Sequence, residues 1–165
     1  MSLRPSYKFS ILILTIGIPA AGKSTWVKEY LKKNPYTYVI STDDIRKELT
    51  GTEQCVDPSF SDHVHDVARE RVAKILQDPV AYERGIGFGQ EILVDSTNVD
   101  LEEWVKYKKL KPSVILAKVF ETTPEEAEKR QRDRERKVPF EVLQEKWQTL
   151  QKNKTYIPYI FNLLL

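Results

Sequence analysis

Residues 9–16, FSILILTI, form a nearly unbroken apolar run, and GIPAAGKST follows it directly. No other feature narrows the fold as much. A run apolar at consecutive positions has no solvent face, so it reads as a central strand covered on both sides. The segment after it fits G-x-x-x-x-G-K-[ST] at every fixed position: Gly17, Gly22, Lys23 and Ser24. Lys23–Lys33 then has a helical pattern, ended by Asn34-Pro35. Strand, glycine-bearing turn and helix in this order make a cradle for phosphate. The glycines let the backbone bend closely, and the exposed N–H groups and helix N-terminus attract the anion. The expected occupant is a nucleoside triphosphate, seated against Gly17, Ala20, Ala21, Gly22, Lys23 and Ser24. Lys23 is expected to reach the β- and γ-phosphates, and the Ser24 hydroxyl to ligate Mg²⁺. Thr25 reads first as a helix residue and second as a phosphate contact.

Apolar runs alternate with helical patterns along the rest of the chain, which predicts an α/β fold with a parallel sheet. Strands are expected at 9–16, 36–40, 90–94 and 113–120. Helices are expected at 42–49, 60–76, 101–110, from Pro124 onward, and at 140–151. This pattern predicts a P-loop kinase-like three-layer sandwich: a central parallel sheet of about four strands, helices on both faces and an arginine-bearing lid. No repeat or linker divides the 165 residues. The expectation is therefore one domain over 1–165, with a core at about 9–151 and an apolar tail at 152–165. The tail, ending YIPYIFNLLL, reads first as a segment packed on the body. Its second reading is a self-association surface, hence a homo-oligomer.

Composition excludes little. A net charge of +2 neither requires nor rules out a nucleic-acid partner, because phosphate binding depends on local clustering. Cys55 is the single cysteine, so no internal disulfide can form, which suits a reducing compartment. The apolar run at 11–18 is too short to span a membrane, and MSLRPSYKFS lacks the long apolar core of a secretion signal. A cytoplasmic location without a membrane partner is the expectation.

The loop does not say where its phosphate goes. Further along, VISTDDIR ends a strand in two carboxylates. In an open parallel sheet, ligands sit at the carboxyl ends of strands, so this place faces the phosphate loop. An accepting hydroxyl needs a base for its proton, and Asp43 suits that role. Arg46, one helical turn on, can fork onto an anionic group of the acceptor. Without the cradle, Asp43 would read as helix capping, as Asp44 mostly does. ILVDSTN ends another strand in Asp95, either a carboxylate supporting Mg²⁺ through water or plain turn chemistry. EKRQRDRERKVP carries Arg130, Arg132, Arg134 and Arg136. On a helix Arg130 and Arg134 would share a face, as a lid closing over the triphosphate requires. The interleaved Asp133 and Glu135 suit a solvated helix instead. His63 and His65 are two apart and would diverge on a helix, so they do not suggest a metal site. RGIGFGQ does not fit a dinucleotide fingerprint and reads as a loop. Trp26, Trp104 and Trp147 read as core or half-buried.

Over roughly residues 11–150 the chain resembles the P-loop 5′-hydroxyl polynucleotide kinases of the bacteriophage type. The resemblance rests on LTIGIPAAGKSTW, NPYTYVISTDDIR, ILVDSTN, the AKVFE strand, and R-x-x-x-R before KVP. It implies transfer of the γ-phosphate of ATP to the 5′-OH of DNA or RNA, as in nucleic-acid end repair. It implies Asp43 as general base, Arg46 on the acceptor's 3′-phosphate, and Arg134 on the transferring phosphate. No DxDGT-type motif is present, so no 3′-phosphatase activity is expected of these residues. A small-molecule kinase acting on a sugar acid, nucleotide-sugar or aminoacyl-tRNA-like acceptor would share the cradle, base and lid. A nucleotide-dependent switch that transfers nothing would have no need of Asp43-x-x-Arg46.

Overall fold

The computed structural model describes residues 9–51, 58–78, 89–134 and 137–165. Cys55, Arg136, Glu135 and the RGIGF part of the glycine-bearing stretch lie outside them. The chain opens with β1 (Ser10–Ile16), α1 (Lys23–Lys33), β2 (Tyr38–Ser41), α2 (Thr42–Thr50) and α3 (Pro58–Gln77). Then come β3 (Gln90–Asp95), α4 (Leu101–Lys109), β4 (Val114–Val119), α5 (Pro124–Arg130) and α6 (Phe140–Asn153). A 3-10 turn (Lys154–Tyr156), α7 (Ile157–Ile160) and β5 (Leu163–Leu164) complete the described elements.

The sheet runs β2-β3-β1-β4-β5, and every neighbouring pair is parallel. The apolar run at 9–16 is thus a strand with partners on both edges, β3 and β4. Because strand side chains alternate, its two faces build different cores. Leu12, Leu14 and Ile16 join Ile92, Val94, Ile115 and Ala117 under Val64, Ala68 and Val72 of α3, Trp104 and Tyr107 of α4, and Leu150 of α6. Ile13 and Leu93 face Val27 of α1, with Trp26, Tyr30 and Leu31 packed around them. Helices therefore cover both faces, the three-layer, P-loop kinase-like arrangement expected.

The sheet has a fifth strand where about four were expected. It comes from the apolar tail, whose backbone docks beside β4: the Asn162 and Leu165 N–H groups donate to the Ile115 and Ala117 carbonyls at 2.8 and 2.9 Å. Asn162 Oδ1 accepts in turn from the Ile115 N–H at 2.8 Å. Ile157 and Phe161 are buried, and Phe161 meets the Trp104 ring edge-on at 5.6 Å. The tail packs on the body, yet Leu163, Leu164 and Leu165 stay exposed. Among the described residues no helix is long and apolar enough to cross a membrane.

Candidate active site

The carboxyl ends of β1, β2 and β3 converge on one place. At the end of β1 the chain turns into the loop, and the Gly17 N–H donates to the Thr97 carbonyl of the β3 exit at 3.0 Å. A side chain at Gly17 would meet Phe120 Cβ at 2.9 Å and its carbonyl oxygen at 3.2 Å, so only glycine passes here without a shift. The loop then takes two left-handed residues, Ala20 (φ 61°) and Gly22 (φ 96°). Left-handed backbone is strained for alanine and free for glycine. Ala20 and Ala21 bury their methyls against Ala127 and Leu143, which holds the loop against α5 and α6.

Lys23 is buried at the first position of α1, and its ammonium donates to the carbonyls of Gly17 and Ile18 at 2.9 and 2.7 Å. Burial pushes its pKa from 10.5 down to about 8; Arg134 acts in the same direction, while Asp95 and Asp43 oppose it. Asp95 ends β3 opposite Ser41 of β2. Burial raises its carboxyl above the usual range, against a hydrogen bond from the Ser24 hydroxyl and the attraction of Lys23. Ser24 and Thr25 are exposed in the first turn of α1. Ser24 and Asp95 thus offer a hydroxyl and a carboxylate oxygen at one spot. That donor set fits Mg²⁺, which binds through one or two protein oxygens and keeps places for water and phosphate.

β2 leads straight into α2. The helix is capped by Ser41, whose hydroxyl accepts the Asp44 N–H at 3.2 Å. Asp43 therefore is not the cap; it stands in the first turn beside Asp44, and the charges of both are felt at Asp95. Arg46 is only 8% exposed, and its guanidinium donates to the exposed Asp43 carboxylate at 2.5 Å. The structure thus brings Lys23, Ser24, Asp95, Asp43 and Arg46 to one end of the sheet.

The arginines form the opposite wall. Arg130, the last residue of α5, donates to the Ala21 carbonyl at 3.2 Å and to the Thr122 hydroxyl at 3.3 Å, and pairs with Glu126. Arg134 does not share a helical face with it. The helix ends at Arg130, because Gln131 turns its amide to clasp Val138: its Nε2 donates to the Val138 carbonyl at 2.7 Å and its Oε1 accepts the Val138 N–H at 2.9 Å. Arg134 lies on the looped-out side of this clasp, exposed, with its charge felt at Lys23. Arg132 is exposed too. His63 and His65 diverge: His63 is exposed beside Phe60, whereas His65 turns inward toward Glu103. Burial holds the His65 imidazole below its ordinary pKa. Trp104 is fully buried, and Trp26 and Trp147 are half-buried.

Reasoning from sequence missed the frame behind the loop. The Thr15 hydroxyl reaches the Ser96 carbonyl at 3.0 Å and accepts the Ser96 N–H at 3.1 Å. Asn98, left-handed at φ 45°, donates to the Thr15 carbonyl at 3.0 Å and receives the Trp104 indole N–H on its own carbonyl. These bonds tie the β3 exit to the end of β1. The one available signal was a threonine inside an otherwise apolar strand. Thr122 was missed as well; its hydroxyl also donates to the Ala21 carbonyl, at 3.2 Å.

A cavity of about 650 Å³ opens beside the loop and is lined by Ala21, Lys118–Thr123, Glu126 and Arg130. Another, of about 440 Å³, lies at the amino-terminal ends of β1 and β4, near Ser10 and Ser113, away from the loop.

Known proteins bear on this geometry in two ways. A family model described as AAA domain matches residues 12–155. Among solved structures, a chain of the Pnkp1/Rnl/Hen1 RNA repair complex superposes with a TM-score of 0.72 at 19% identity, covering 94% of this chain and 48% of that one. A second structure of the Pnkp1/Rnl/Hen1 complex gives 0.59 at 21%, covering 83% and 46%. A gluconokinase from Sinorhizobium meliloti 1021 gives 0.58 at 17%, covering 89% and 78%. The chain therefore spans about half the length of the repair-complex chains it matches. At these identities the likeness shows the fold.

Proposed function

The chain belongs to the AAA domain family, and from that premise we propose that it transfers the γ-phosphate of ATP to the 5′-OH of a DNA or RNA strand. The observation that carries this reading is the Asp43–Arg46 pair at the strand ends that also bear Lys23 and Asp95. A protein that only binds a nucleotide as a switch has no use for a base and a buried guanidinium on the acceptor side. The likeness to a chain of an RNA repair complex supports a nucleic-acid end as acceptor.

In this mechanism the loop N–H groups and the helix N-terminus hold the phosphates. Lys23 gives up the Gly17 and Ile18 carbonyls and turns its ammonium to the β- and γ-oxygens. Ser24, and Asp95 through water, would hold Mg²⁺, which would supply neutralising charge to the phosphates. Asp43 takes the proton of the 5′-OH as its oxygen bonds to the γ-phosphorus. The bond from that phosphorus to the β,γ-bridging oxygen breaks, and its electron pair leaves with ADP. Arg46 forks onto the acceptor's adjacent phosphate, and Arg134 closes on the transferring group.

A second reading keeps every role except the acceptor. The same base and guanidinium suit a hydroxyl and carboxylate on a sugar acid, and the gluconokinase likeness favours that class among small molecules. Transfer of label from γ-labelled ATP separates the two. The panel is a 5′-OH oligonucleotide, its 5′-phosphorylated twin, and gluconate among other sugar acids. Label on the 5′-OH strand alone is the expected result. Label on a sugar acid, with none on the strand, would overturn it.

A further inference from the structure

The cavity beside the loop contains a cation that the mechanism does not use. Side-chain alternation along β4 puts Leu116 and Lys118 on the α1 side of the sheet, opposite Ile115 and Ala117. There the Lys118 ammonium stands 5.5 Å from the centre of the Trp26 ring and donates to the main-chain oxygen of Leu165 at 3.1 Å. Leu165 is itself held, because its N–H donates to the Ala117 carbonyl at 2.9 Å. The tail strand and an aromatic face thus hold Lys118 in place on the cavity wall. An ammonium carries only donors, so its remaining hydrogen-bonding capacity can meet only an acceptor.

A triphosphate in the cradle can send its nucleoside two ways. On the proposed function, on which this inference rests, the Asp43 side belongs to the acceptor. The nucleoside is then left with the cavity that begins at Ala21 and Arg130. Purine donors share N7 and differ at position 6. A 6-oxo group accepts a hydrogen bond from an ammonium, whereas a 6-amino group turns its own N–H hydrogens toward it. We propose that Lys118 makes this a site for 6-oxopurine nucleoside triphosphates, preferred over ATP as phosphate donors.

The test is calorimetric binding of Mg²⁺ complexes of ATP, GTP and ITP to the full chain. ITP isolates position 6, since it lacks the 2-amino group of GTP. GTP and ITP are expected to bind about tenfold tighter than ATP, as one hydrogen bond to a charged donor allows. In Lys118→Met that ratio should collapse toward one, and Lys118→Arg should keep most of it; thermal melts of both variants establish that they fold. ATP binding as tight as ITP in the wild type, or a ratio unmoved by Lys118→Met, would overturn the inference while leaving the kinase reading intact. A chain that binds no nucleotide at all would overturn both.

Discussion

The two walls of the cradle are built in opposite ways. The strand-end wall, with Lys23, Asp95 and Arg46, is sunk into the sheet. Burial there moves Lys23 down and Asp95 up, and each feels the other. The described residues of the arginine wall, 122–134 and 137–138, are mostly exposed and held by a few side-chain bonds: Arg130 to Ala21 and Glu126, and Gln131 to Val138. Groups that tune protonation need a low-dielectric setting, and strand ends supply it. A group that only brings charge to an assembled triphosphate can wait in solvent, where moving it costs little.

This contrast is open to test, starting where the effect should be largest. Lys23→Met removes the buried cation, and transfer should fall about 10³-fold or more, because a preorganised donor to developing charge is lost. Steady-state rates with saturating acceptor measure it; a loss under tenfold would mean that the deep wall is not the catalytic one. Arg134→Ala should lower kcat by about 10²-fold with little change in KM, whereas Arg130→Ala should act mainly on KM for the donor, by about tenfold. Arg130 already touches the loop, and Arg134 has to arrive. Equal effects on kcat would erase the distinction. The smallest effect is in protons. With Lys23 near 8 in the free protein, a seated triphosphate raises its pKa, so binding at pH 8.5 should take up most of a proton. Donor affinity should fall as pH rises above about 8. Calorimetry in buffers of differing ionisation enthalpy reads the uptake, and Lys23→Met should lose it.

How much could be read in advance follows the same division. The strand-end wall was legible because its signals are short-range: an apolar run, a glycine turn, then a carboxylate where each strand stops. Asp43 and Arg46 are one turn apart, so helix geometry alone put them on one side. The arginine wall was not legible in shape. Whether Arg134 continues a helix depends on Gln131 reaching Val138, a side-chain choice that local propensity does not contain. β5 was hidden for a related reason: a strand of only two residues exists by virtue of β4's free edge, and nothing in NLLL alternates. Thr15 and Ser96 meet across 81 residues of sequence, so the frame behind the loop appears only once β1 and β3 pair.

The claim at the centre is that Asp43 receives the proton of an acceptor hydroxyl. Asp43→Asn keeps the size of the side chain and an oxygen for Arg46 while removing the base. The decisive measurement is one preparation of this variant, assayed for ATP binding and for label transfer to a 5′-OH oligonucleotide beside the wild type. Binding within about twofold of wild type, with transfer reduced about 10²- to 10⁴-fold, is the predicted result. Transfer that persists at the wild-type rate, with binding unchanged, would contradict it.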